Sequence, residues 1–158
     1  MPSAPEPVTA YVALGANLGD ARTAVRRALG DLAQLPHTQV TARSSLWRSA
    51  PVAASGPDFI NAVAELRTSL TAPDLLNALQ QLENAAGRQR PYPNAPRTLD
   101  LDLLRHGDAR IDTPRLQVPH PRMMARAFVL RPLAEIAPHL VSAAALEAVA
   151  RQAIERLP

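Results

Sequence analysis

The chain has 158 residues, with 17 arginines, no lysine, no cysteine and a formal net charge of +3. That length suits one domain with a substantial core. The missing cysteine excludes disulfides, thiolate nucleophiles and cysteine-held metals, and the missing lysine excludes a phosphate-binding lysine or a Schiff base, leaving phosphate handling to arginine.

The N-terminal MPSAPEPVTA has neither a basic nor an apolar stretch. It reads as no signal peptide, and residues 1–7 as a proline-stiffened tail ahead of one domain over 8–158. No apolar run approaches the ~20 residues of a membrane span, and no basic run points to nucleic acid. A cytoplasmic location is expected.

Val8–Leu14 is predicted as a strand that ends in the glycine-bracketed turn Gly15–Gly19. A helix capped by Asp20 follows, with Ala21, Ala24, Val25, Ala28, Leu29, Leu32 and Leu35 at helical spacing. Pro36 stops it. Thr38–Trp47 reads as a strand, Ser49–Asp58 as a loop, and Phe59–Thr68 as a second strand. On that strand Ile60, Ala62, Ala64 and Leu66 share one face, and Phe59, Asn61, Val63 and Glu65 the other.

A helix opens at Thr71, with Pro73 and Asp74 in its first turn, and closes at Gly87. Leu75, Leu76, Leu79 and Leu82 form its apolar stripe, and Gln80 and Glu83 are predicted to face away from it. Arg88–Pro96, with three prolines and no periodicity, reads as a mobile loop. Thr98–Arg105 alternates as a strand, His106–Asp108 as a turn and Ala109–Asp112 as a short strand. Helices are predicted around Arg122–Ile136 and from Ser142 through Leu146, Val149, Ile154 and Leu157. The order β-α-β-β-α-β plus helical additions predicts an α+β fold. Its form is a ferredoxin-like sandwich, a mainly antiparallel sheet with helices packed on it.

The chemistry concentrates in Arg97-Thr98-Leu99-Asp100-Leu101-Asp102-Leu103. On a strand the leucines point to the core, and Asp100 and Asp102 point together to the other face, about 6.6 Å apart at about 3.3 Å per residue. Two like charges so placed repel unless a cation lies between them. They can supply part of an oxygen shell for magnesium. By itself the pattern describes an amphipathic strand with a solvated acidic face, and the flanking residues shift that reading. Arg88, Arg90 and Arg97 precede the strand, and His120 and Arg126 follow it in VPHPRMMARAF. Carboxylate-held metal with converging arginines is the layout of phosphoryl-type transfer.

The segments YVALGANLGD, SSLWRSAPV, DFINAV, NAPRTLDLDLL and VPHPRMMARAFVL, in this order, resemble the 6-hydroxymethyl-7,8-dihydropterin pyrophosphokinases of folate biosynthesis. The resemblance runs from Tyr11 to about Pro138. It implies transfer of pyrophosphate from ATP to the pterin's hydroxymethyl oxygen, with release of AMP. It further implies two magnesium ions held by Asp100 and Asp102, and Arg88, Arg97 and Arg126 clamping the triphosphate with Arg90 nearby. His120 would donate to a phosphate oxygen, and Gln80 would lie near the adenosine. Glu83 matches an acidic position whose role stays open. The pterin would sit between Phe59 and Phe128, with Asn61 on its edge and Ser49, Ala50 and Val52 lining the pocket. Nucleic acid and membrane are not expected partners, and a monomer is.

The chain departs from that pattern at Asn94-Ala95-Pro96-Arg97, where many members carry Trp-Gly-Pro-Arg. The loop is one residue shorter, and Tyr92 is the candidate to replace the missing ring. Phe59 stands where a tyrosine is common. His37, His106 and His139 match no functional position, and Trp47 reads as structural. Two other readings stay open on residues alone: a non-catalytic ferredoxin-like binding module, and another magnesium-dependent phosphoryl or nucleotidyl transferase.

Overall fold

From its third residue onward the first strand is buried on both faces, so helices must cover the sheet on two sides. The structure, a computed structural model, describes residues 6–51, 56–87 and 99–158. Its elements run β1 (Val8–Ala16), α1 (Ala21–Leu32), β2 (Thr38–Arg43), β3 (Trp47–Ser49), β4 (Phe59–Thr68), α2 (Ala72–Ala85) and β5 (Asp100–His106). A hairpin of β6 (Ile111–Asp112) and β7 (Gln117–Val118) follows, then a 3-10 turn at Met123–Ala125, α3 (Ala127–Ile136), a second such turn at Pro138–Leu140, α4 (Ala143–Ala148) and β8 (Ile154–Arg156).

The main sheet has the order β5-β1-β4-β3-β8, with β2 also paired to β4. Every pairing in it is antiparallel. This is the expected α+β arrangement. Asp20 caps α1 through its side chain, which accepts from the Thr23 amide at 3.1 Å, and Thr71 caps α2 by accepting from the Asp74 amide at 3.2 Å.

One face of the sheet carries Ala10, Val12, Leu14, Ala62, Ala64, Leu66, Leu101 and Leu103, packed against the leucines of α1 and α2. The other carries Tyr11, Ala13, Val63 and Leu104 beneath Val129, Leu130 and Leu133 of α3. The C-terminal elements thus add a third layer over part of the second face.

Three predicted elements differ. The strand expected over Thr38–Trp47 is broken. Residues 44–46 face only two residues of β4, Ala62 and Val63. The Ser44 side chain takes up the slack by accepting from the Val63 amide at 2.9 Å, a local side-chain bond that replaces the ladder. The helix expected around Arg122–Ile136 splits at Arg126, whose backbone is extended (φ −125°, ψ 114°). Gln152 holds that break, accepting from the Ala127 amide at 2.8 Å and donating to the Ala125 carbonyl at 2.9 Å. The last helix ends at Ala148. Ile154–Arg156 instead pairs with β3 and covers its edge, where a short strand is more stable than a helix without a seat.

Candidate active site

The polar residues lie on the second face of the sheet, beside the apolar cluster under α3. One transverse row of the sheet runs Asp100 (β5), Gly15 (β1), Asn61 (β4) and Trp47 (β3). The row beside it places Asp102 next to Ala13 and Val63. Both aspartates are half-exposed, while Leu99, Leu101 and Leu103 are buried beneath them. The strand therefore presents its carboxylates on one side, as the alternation predicts.

Gly15 keeps the middle of the row open. A β-carbon there would stand 3.3 Å from Asn61 Nδ2 and 3.7 Å from the Phe59 ring. Asn61 is buried, and its Oδ1 accepts from the Ser49 hydroxyl at 2.6 Å, which turns its Nδ2 toward Gly15. Phe59 is half-buried at the start of β4, and Phe128 half-buried in the first turn of α3. Ser49 is buried and Ala50 exposed.

On the β5 side of the row lies a cavity of about 410 Å³, and Asp100, Asp102, His120 and Arg126 all line it. Arg126 Cζ also sits 5.3 Å from the centre of the Phe128 ring, so one guanidinium faces both the cavity and the aromatic side. His120 is anchored by its amide, which donates to the Leu104 carbonyl at 2.8 Å. Its Nδ1 accepts from the Arg122 amide at 3.1 Å, so Nε2 carries the proton of the neutral ring. Burial holds the imidazole below the usual histidine range, and the charges of Arg126 and Arg122 push the same way against a weaker pull from Asp100. At neutral pH the ring is an uncharged donor.

The sequence of residues 11–138 matches the family described as 7,8-dihydro-6-hydroxymethylpterin-pyrophosphokinase. The chain belongs to this family. It is 50% identical over 131 residues to the 2-amino-4-hydroxy-6-hydroxymethyldihydropteridine pyrophosphokinase of Pseudomonas aeruginosa, covering 82% of this chain and 81% of that one. The enzyme of the same name from Bacillus subtilis is 46% identical, over 80% of this chain and 77% of its own. That of Haemophilus influenzae is 43% identical, over 85% and 84%.

Against the pyrophosphokinase pattern expected from sequence, the structure brings Asp100, Asp102, His120 and Arg126 to one cavity. It sets Ser49, Asn61, Phe59 and Phe128 on the second face beside it. Arg88, Arg90, Arg97, Val52 and the Arg88–Pro96 loop, with Asn94 and Tyr92, lie outside the described residues. Gln80 is exposed, as expected, and approaches the cavity through Arg115, which donates to its Oε1 at 3.4 Å and also bonds Asn77 Oδ1.

Glu83 corrects the expectation. It does not face outward with Gln80. It is only 4% exposed and continues the inner row Leu75–Leu79, while Leu82 is half-buried. Positions 75, 79 and 83 fall four apart and stack on one helix face, which the row of leucines in the sequence obscured.

Arg115, Arg122 and Gln152 were not anticipated as site residues. Arg115 and Arg122 line the cavity. The tip of the β6–β7 hairpin, closed by the Thr113 hydroxyl and amide on the Leu116 carbonyl, delivers Arg115. No local signal marks it, because the hairpin is two residues long on each side. Trp47, read as structural from sequence, donates from Nε1 to Glu135 of α3 at 3.1 Å. Of the histidines without an expected role, His106 bonds the Leu70 carbonyl through Nε2 at 2.8 Å.

Proposed function

We propose that the chain carries out its family's reaction, pyrophosphate transfer from ATP to 6-hydroxymethyl-7,8-dihydropterin with release of AMP, in the site between the aspartate pair and the two phenylalanines. The observation that carries this reading is the cavity shared by Asp100, Asp102, His120 and Arg126. It places two acceptor carboxylates, one neutral donor and one permanent cation around a single volume.

The donor set fits magnesium. Two half-exposed carboxylates from one strand offer hard oxygen ligands, and among the described residues no group of three His, Cys, Asp or Glu could hold a metal. The shell must then be completed by phosphate and water oxygens, which is how magnesium is ordinarily bound alongside nucleotides. Asp100 and Asp102 would hold two such ions, which neutralise triphosphate charge when bound.

The chain's own residues do the rest. Arg126, with Arg97, Arg88 and Arg90 from outside the described residues, binds the triphosphate as planar charged donors. The Nε2 proton of His120 goes to a phosphate oxygen, a contact that an imidazolium would also make but that here adds no charge of its own. Gln80 lies toward the adenosine end. Phe59 and Phe128 stack on the pterin, Asn61 offers its amide to the pterin edge, and Ser49, Ala50 and Val52 line the pocket. In the transfer, the pterin hydroxyl oxygen bonds to the β-phosphorus of ATP. The bond from that phosphorus to the α,β-bridging oxygen breaks. The hydroxyl proton is lost and AMP departs.

The enzyme is taken to act as a cytoplasmic monomer with small-molecule substrates and neither a nucleic-acid nor a membrane partner. No helix among the described residues is long and apolar enough to cross a membrane. The test of the activity is direct. Purified protein with ATP, the hydroxymethyl pterin and magnesium should release AMP in step with pterin pyrophosphate, and a chelator should stop it. ADP as product, or equal rates with chelator, would overturn the reading.

A further inference from the structure

The structure assigns Glu83 as the positioning residue of the strand that carries the aspartate pair. The assignment rests on the magnesium reading above and deepens it.

A carboxylate in an apolar helix face is costly unless it is hydrogen-bonded. Glu83 is 4% exposed, in line with Leu75 and Leu79, which are fully buried. Its Oε2 accepts from the Leu101 amide at 2.8 Å. Leu101 is the residue between Asp100 and Asp102.

The sheet order explains why this bond is needed. Among the described residues β5 is an edge strand, with β1 on one side and no strand on the other. In an antiparallel pair, alternate amides point away from the partner. The Leu101 amide is such a group, and α2 supplies the acceptor that a missing strand would have provided. The Leu101 side chain is buried at 4% exposure in the same layer as α2. Side chain and amide together fix the peptide plane from which the two aspartates project to the opposite face. Glu83 itself is not counted as a third metal ligand, because its carboxylate is committed to the Leu101 amide, and among the described residues no group of three His, Cys, Asp or Glu could hold a metal. Ligand-bearing backbone held this way is what a preorganised site requires.

The test reads metal-linked binding as well as turnover. In Glu83→Gln the side-chain carbonyl can still accept from Leu101, so magnesium-dependent binding of a non-hydrolysable ATP analogue, by calorimetry, should stay within about threefold. In Glu83→Leu it should weaken by about 10–100-fold, the usual effect of losing a partner behind a metal ligand. Pterin affinity without metal should not change in either variant. An unchanged magnesium requirement in folded Glu83→Leu would overturn the assignment, and so would a Glu83→Gln loss as large as that of Glu83→Leu. Should Glu83→Leu not fold, the wild-type protein decides. Its Leu101 amide must exchange with solvent as slowly as amides paired inside the sheet, and fast exchange would overturn the assignment. Asp102→Ala separates the two levels. If that variant keeps its magnesium dependence, the metal reading itself fails. If it loses it while Glu83→Leu does not, only the role of Glu83 fails.

Discussion

The two faces of the sheet are built from the same strands yet do different work. Under α1 and α2 the layer is mostly apolar, with Val12 and Leu66 of the sheet and Leu75 and Leu79 of α2 without solvent exposure, and its buried polar groups Thr68 and Glu83 are hydrogen-bonded. Under α3 the apolar cover reaches Tyr11, Val63 and Leu104 and stops. Beyond it stand Asp100, Asp102 and Asn61. The first face holds the molecule together, and the polar end of the second carries the candidate site.

Breaking the first face should cost stability and spare chemistry. Leu79→Ala removes a fully buried side chain and should lower unfolding free energy by about 2–5 kcal/mol. Chemical denaturation measures this, while the turnover number of the protein that remains folded stays near normal.

Breaking the second face should do the reverse. Asp100→Ala or Asp102→Ala should reduce turnover at least ~10²–10³-fold, about 2.7–4 kcal/mol of transition-state stabilisation. The unfolding midpoint should barely move, since both carboxylates are half-exposed and leave no core cavity. Near-normal turnover in either variant would remove the metal assignment.

A finer cut divides the second face itself. Phe59→Ala and Phe128→Ala should weaken pterin binding beyond the lost area by about 0.5–1.5 kcal/mol per ring pair, with ATP affinity changed far less. Because Arg126 lies over Phe128, some loss of ATP affinity is expected in Phe128→Ala and none in Phe59→Ala. Equal losses of both ligands in both variants would mean that the rings are core and the pocket lies elsewhere.

The smallest effect concerns pH. The folded-state value of His120 is depressed, chiefly by burial. Its contribution to stability is therefore complete above the unfolded value of about 6.5 and is lost as pH falls from there through the folded value. Urea midpoints at pH 7.5 and 5.5 should drop more in the wild type than in His120→Gln. An equal drop would show that the imidazole titrates normally.

Much of this was readable from residues alone. Strict alternation around Asp100 and Asp102 is a local property with period two, so the strand, its buried leucines and its outward carboxylates all follow from spacing. The caps Asp20 and Thr71 are equally local. So are the motifs that carry the family resemblance. What the tertiary structure alone decided involves partners far apart in the chain. The break at Arg126 depends on Gln152, the bend at Ser44–Leu46 on Val63 and Glu135, and the end of the last helix on the open edge of β3. Glu83 is the sharpest case. Beside the leucines at 75, 76, 79 and 82 it reads as part of the solvent side with Gln80, because carboxylates are normally exposed. Its carboxylate accepts from the Leu101 amide at the outer side of β5, a partner far along the chain whose direction is set only once β5 has taken its place beside β1.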